Sequence, residues 1–221
     1  QYHGANRLGA NSLLSCIYAG MIAGPAMVSY AKNAAPKKGD VPQGLLGGAQ
    51  KQWKERFDSI YKMSGTENPY VIGRDMGELM QRVSTVVKHN PELDQAVQQI
   101  RGMKERWKAV NVLDTGRTFN QSAAYVNQLW NMLEIAELIL VGGRMRDECR
   151  GSHYKPEFDL PQPKTKDPRQ DPEWMEAWRR RNENWLKFTL ARWSASGPKV
   201  SLEPIQSLKN PILKPEPRWY A

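Results

Sequence analysis

Asn90-Pro91-Glu92-Leu93-Asp94-Gln95-Ala96-Val97-Gln98-Gln99-Ile100-Arg101-Gly102-Met103-Lys104-Glu105-Arg106-Trp107 sets Leu93, Val97, Ile100, Met103 and Trp107 three or four residues apart. That interval gathers side chains on one face of an α-helix. Asn90 is suited to cap the helix and Pro91 to open it, because the first helical position needs no backbone N–H. Two similar stripes flank this one. Residues 75–89 carry Met76, Leu79, Met80, Val83 and Val87, and residues 120–141 carry Val126, Leu129, Trp130, Leu133, Ala136 and Leu140, with Gly142-Gly143 expected to end the helix. Three long amphipathic helices with short connections predict an antiparallel three-helix bundle. A further helix over residues 50–63, showing Trp53, Phe57 and Ile60, leads into it.

Working outward, residues 32–48 hold Pro36 and Pro42 among glycines and lysines and read as a loop or linker. Before them, residues 11–31 form a helix that Asn11 or Ser12 can cap, with Leu13, Leu14, Ile17, Met21 and Ile22 as its stripe. Ala19, Gly20, Ala23 and Gly24 admit a closely approaching backbone or flat ligand. The apolar run is interrupted by Ser15, Gly20, Gly24, Pro25 and Ser29, which argues against a membrane span. Past Pro156 the chain is rich in proline. A short helix opened by Asp171-Pro172 and an extended stretch from Trp185 to Trp193 make a small separate module. The final residues, with Pro211, Pro215 and Pro217, cannot build a core.

The formal charge is +9 over 221 residues, with 40% of residues apolar and eight tryptophans, enough to form cores. Apart from Arg179, Arg180 and Arg181 the basic residues are scattered, without the aromatic and basic alternation that stacks bases. No nucleic-acid partner is expected. A basic surface also attracts acidic partners, anionic membranes and dicarboxylates, so charge alone does not choose among them. Cys16 and Cys149 are far apart, so the chain's thiols supply neither a zinc site nor an iron–sulfur cluster, and no metal site is expected. They point to a reducing compartment. The first residue, Gln1, and the lack of a signal-peptide pattern predict an internal start.

The most specific stretch is His3-Gly4-Ala5-Asn6-Arg7-Leu8-Gly9-Ala10-Asn11-Ser12-Leu13-Leu14, a polar, glycine-containing loop turning into a helix start. On physics alone it is either an ordinary capped helix or a site where free N–H groups meet an electron-rich ligand edge. The run resembles the H-G-A-N-R-L-G-x-N-S-L-L segment of succinate dehydrogenase and fumarate reductase flavoproteins, without a gap. Arg146-Asp147-Glu148-Cys149-Arg150-Gly151-Ser152-His153-Tyr154-Lys155 resembles the family's R-x-E-S-R-G-A-H-x-R, with Cys149 for Ser, Ser152 for Ala and Lys155 for the frequent Arg. More weakly, Asn184-Trp185-Leu186-Lys187-Phe188-Thr189-Leu190 is similar to a late W-x-x-H-T/S-L region, Phe188 standing where His often occurs.

The resemblance implies a mainly α fold in three parts: the end of an FAD-binding α/β domain with its linker (residues 1–48), a three-helix bundle domain (49–150) and a small C-terminal α+β module (151–221). It implies a flavoprotein that oxidises succinate to fumarate through FAD and passes electrons to an iron–sulfur subunit and quinone. Arg7 and His3 would bind the dicarboxylate, and Asn11, Ser12 and Leu13 would contact FAD. Arg146, Glu148, Arg150 and His153 would be domain-interface residues. A salt-bridged, exposed helix end is the plain alternative for that cluster. The G-x-G-x-x-G fingerprint, the flavin-linking histidine and the proton-transfer arginine are missing and expected upstream, so this chain carries no catalytic residue and is inactive alone. A membrane-anchor cytochrome b subunit and a peripheral place on the cytoplasmic face of the bacterial inner membrane are implied too. An L-aspartate oxidase-like flavoenzyme and a non-enzymatic basic helical interaction module are the alternatives.

Overall fold

The computed structural model describes residue 9, residues 11–205 and residues 216–217. Six α-helices run in order: α1 (Asn11–Asn33), α2 (Gln43–Ile60), α3 (Pro69–Ser84), α4 (Asn90–Lys108), α5 (Gln121–Met145) and α6 (Pro172–Trp185). The strands β1 (Lys187–Arg192) and β2 (Lys199–Pro204) follow as an antiparallel hairpin in which Lys187 pairs with Pro204 and Arg192 with Lys199. The chain divides into two compact units, one made of residues up to Ser64 with Val112–Asn127, the other of Gly65–Asn111 with residues from Gln128 onward.

In the second unit most of the expected stripe residues make the core, but Val87 lies past the end of α3 at Ser84 and is exposed. Ile72, Leu79 and Val83 of α3, Leu93, Val97, Ile100 and Met103 of α4, and Leu129, Leu133, Ala136 and Leu140 of α5 are all buried. The last two helices run antiparallel, since Asp94 meets Arg144, Arg101 meets Glu137, and the rings of Trp107 and Trp130 lie 4.8 Å apart. The mainly α bundle followed by a small α+β module is therefore the observed fold. Trp174 anchors the module: it is buried and donates its indole N–H to Pro161 O at 2.9 Å. Asp171 caps α6 by accepting from Trp174 N at 3.1 Å, as its place before Pro172 requires.

Several helix ends differ from expectation. Helix α3 starts at Pro69, not near 75, because Asn68 accepts from Tyr70 N at 2.9 Å and Pro69 sits in the first turn. This repeats the Asn-Pro signal seen before Leu93. At that second signal His89 is the N-cap, and the Asn90 amide donates to Asp147 Oδ1 at 3.0 Å instead of capping. Helix α5, capped by Asn120 accepting from Ala123 N at 2.8 Å, runs through Gly142-Gly143 to Met145. Two helical glycines cost about 1 kcal/mol each. Contacts near that end offset the cost, with Arg144 paired to Asp94 at 2.9 Å and its carbonyl accepting from Lys155 Nζ at 3.1 Å.

In the first unit the segment 32–48 is not all loop, because α2 begins at Gln43. Ile60, Val112, Ala123 and Val126 are buried, Val112 N donating to Met63 O at 2.9 Å. Helix α1 has no buried residue, and Leu13, Leu14, Ile17, Tyr18, Met21 and Ile22 are exposed. An 18-residue stretch of this 23-residue helix reaches a mean hydropathy of 1.5, long and apolar enough to cross a membrane, against the expectation from its small and polar interruptions. Glycine, serine and proline dilute the apolar character of the stretch less than charges would.

Candidate functional site

His3 and Arg7 lie outside the described residues. Asn11, Ser12 and Leu13 form the first turn of α1. Neither Asn11 nor Ser12 precedes the helix as a cap, since both are already helical; Asn11 O instead accepts the Ser15 hydroxyl. No acidic residue occupies that turn, and Asn11 and Leu13 are exposed. The first four backbone N–H groups of a helix have no partner within it, so this end presents donors and a partial positive charge. An electron-rich, planar ligand edge suits such an end.

The second predicted group forms one cluster around a buried carboxylate. Glu148 is 0% exposed and takes Arg146 on one carboxylate oxygen, with Nε at 2.9 Å and Nη2 also bonded. Its other oxygen accepts from Arg150 Nε at 2.9 Å. Arg146 further donates to Lys187 O at 3.0 Å, to Thr189 Oγ1 at 2.7 Å and to Trp185 O, with its guanidinium over the Trp185 ring. Arg150 reaches Asn182 Oδ1 at 2.8 Å. His153 faces the carbonyl of Arg146 with Nε2 at 2.9 Å, so that nitrogen carries the proton, and burial holds the imidazole below its ordinary pKa. Arg150 and His153 exchange backbone hydrogen bonds across a tight turn in which Gly151 takes a φ of 59°. The exposed, salt-bridged helix end is therefore overturned. These four residues tie the end of α5 to α6 and β1.

Two further ionic groups escaped the sequence reading. Lys155, fully buried, donates to Asp147 Oδ1 at 3.0 Å. Burial opposes ionisation of Asp147, but hydrogen bonds from Asn90 and Lys155 outweigh it and hold the carboxyl below the usual range. Lys88 lies nearby, its ammonium on Thr85 O and Val86 O, and burial followed by the Lys155 charge lowers its pKa. The other group centres on Glu137, which is buried and bonded to Arg101 Nε at 2.8 Å and to Lys104 Nζ at 2.5 Å. Its signal was legible, a carboxylate on the core face of α5 between Leu133 and Leu140. Cys149 is a half-buried thiol whose pKa desolvation pushes up, and it donates to Lys155 O at 3.1 Å. Among the described residues no group of His, Cys, Asp and Glu could hold a metal ion.

A family model described as the fumarate reductase flavoprotein C-terminal region matches residues 73–220. The chain belongs to the succinate dehydrogenase and fumarate reductase flavoprotein family. Among the family's members, the Bacillus subtilis succinate dehydrogenase flavoprotein subunit is 40% identical over 190 residues, which is 86% of this chain and 29% of that protein. The Haemophilus influenzae fumarate reductase flavoprotein subunit is 28% identical over 94% of this chain and 31% of its own length. The fold agrees with an Escherichia coli quinol fumarate reductase chain at a TM-score of 0.72, with 24% identity over 95% of this chain and 32% of that one. A Mycobacterium smegmatis Sdh1 complex chain gives 0.69 at 24% identity, over 92% of this chain and 31% of that one. The chain thus spans about a third of the flavoproteins it matches and corresponds to their C-terminal part.

Proposed function

We propose that this chain is the C-terminal part of an FAD-dependent succinate dehydrogenase or fumarate reductase subunit, inactive by itself. Residues 1–48 would close the FAD-binding domain, residues 49–150 form the helical domain, and residues 151–221 the terminal module. Asn11, Ser12 and Leu13 would bind FAD through the helix end; a first turn of α1 without an acidic residue fits an electron-rich flavin edge. FAD when bound supplies hydride acceptance, and its covalent attachment would lie upstream. The uncovered apolar surface of α1 would then pack inside the flavin-binding domain and not in lipid.

Arg7 would pair with one carboxylate of the dicarboxylate through a bidentate fork and so fix its orientation, with His3 beside it. Arg146, Glu148, Arg150 and His153 would hold the terminal module at the helical domain's border with the flavin domain. An iron–sulfur subunit and a membrane-anchor cytochrome b subunit would take the electrons on to quinone. The subunit would sit peripherally on the cytoplasmic face of the bacterial inner membrane. The observation that carries this reading is the ungapped His3–Leu14 run opening directly into α1, in a chain whose family is shown over residues 73–220.

The test is Arg7→Lys in the complete subunit. A lysine keeps the charge but loses the fork, so succinate oxidation falls at least about tenfold while flavin content and folding are unchanged. Near-normal turnover would overturn the assignment of Arg7. Parallel assays with succinate and L-aspartate separate the dehydrogenase from the oxidase.

A further inference from the structure

Residues 113–119 form a loop that is tightly held and yet displays its apolar side chains to solvent. Asn120 is nearly buried and clamps it, its amide donating to Asp114 O at 2.6 Å and Gly116 O at 2.7 Å. Asp114 Oδ1 accepts from Gly116 N at 2.8 Å. Arg117 is fixed by Asp58 at 3.0 Å and lies over the Tyr61 ring. From this rigid base Phe119 stands 97% exposed and Leu113 87% exposed. Phe119 also has a φ of 54°, the only positive value of a non-glycine residue among those described. A bulky residue in the left-handed region is costly and persists only where surrounding structure imposes it, as at binding contacts.

We propose that Leu113 and Phe119 are anchors that dock onto the flavin-binding segment preceding residue 1 in the same polypeptide. This rests on the proposed function. The loop shares its compact unit with α1, whose apolar surface is likewise uncovered, and with Leu45, Leu46 and Trp53 of α2, also exposed. The matching family model describes a C-terminal region, and the chain spans only 29% of the Bacillus subtilis relative, so the unmatched length lies upstream. One occupant therefore accounts for all these surfaces. Arg117, the loop's cation, is paired with Asp58 of the same unit. Recognition here is apolar, which suits a permanently attached domain better than a charge-steered partner.

The experiment uses the full-length flavoprotein in its assembled complex, with a benzophenone-bearing phenylalanine at position 119. Irradiation is expected to give an intrachain cross-link upstream of His3; a cross-link into another subunit, or none, overturns the proposal. In a second arm, Phe119→Asn keeps a residue that tolerates the left-handed backbone but removes the anchor. Tryptic cleavage after Arg117 then accelerates about thirtyfold, as loss of an aromatic hot spot implies. Unchanged cleavage overturns the docking role. The visible spectrum of the same preparation separates the failures: missing flavin sinks the proposed function and this inference with it, whereas flavin present with an unprotected loop sinks this inference alone.

Discussion

Replacing Glu148 by leucine removes the carboxylate that two largely buried guanidinium groups share. Arg146 is 16% exposed and Arg150 24%, so neither can recover its lost partner from bulk water without moving. Breaking a buried ion pair from one side costs about 3–5 kcal/mol, because a charge is left uncompensated. Arg146 keeps its bonds to Lys187 O and Thr189 Oγ1, which should hold the cost toward the lower end of that range. For a chain of this size each kcal/mol lowers Tm by about 2–4 °C, so at about 3 kcal/mol Glu148→Leu is expected to lower it by about 6–12 °C. The assay is thermal unfolding of the wild type and variant followed by tryptophan fluorescence, to which Trp185, under the Arg146 guanidinium, contributes. A shift below about 2 °C would refute the reasoning, because it would mean that the cluster is as dispensable as an exposed pair.

Gly65→Ala tests a close backbone approach: an added Cβ would lie 2.0 Å from Ala109 O, so the backbone must part and the Gly65 N to Val110 O bond at 3.2 Å weakens. A loss of about 2–3 kcal/mol in urea unfolding is expected, and a neutral result would contradict the geometry. His153 predicts a pH dependence. Its folded pKa is lowered, chiefly by burial, so the unfolded chain binds its proton more readily and stability falls as pH drops through the ordinary histidine value of 6.5. His153→Gln, which still offers an N–H to Arg146 O, should flatten the unfolding midpoint between about pH 7 and 5; an undiminished slope would place the titration elsewhere.

Local signals carried well where the physics is local. The stripe from Leu93 to Met103 became the core face of α4, and Asp171-Pro172 opened α6 as read, because capping and periodicity involve neighbours within a turn. Asn90 shows the limit of that logic: its side chain had two possible uses, and a carboxylate 57 positions away, Asp147, took it from the cap. Gly142-Gly143 failed as a stop for the same reason, since contacts from Asp94 and Lys155 sustain the helix past them.

The sequence by itself determined the helix faces, the bundle and terminal module, and, through the His3–Leu14 and Arg146–Lys155 runs, the family. Only the tertiary structure decided that Glu148, Lys155 and Glu137 are buried and ionic, and that Phe119 is fully displayed on a strained backbone. The physical reason is that burial of a charge depends on partners such as Arg101 for Glu137, 36 residues apart. Spacing along the chain encodes a helix face, whereas desolvation is set by whatever the fold packs against it.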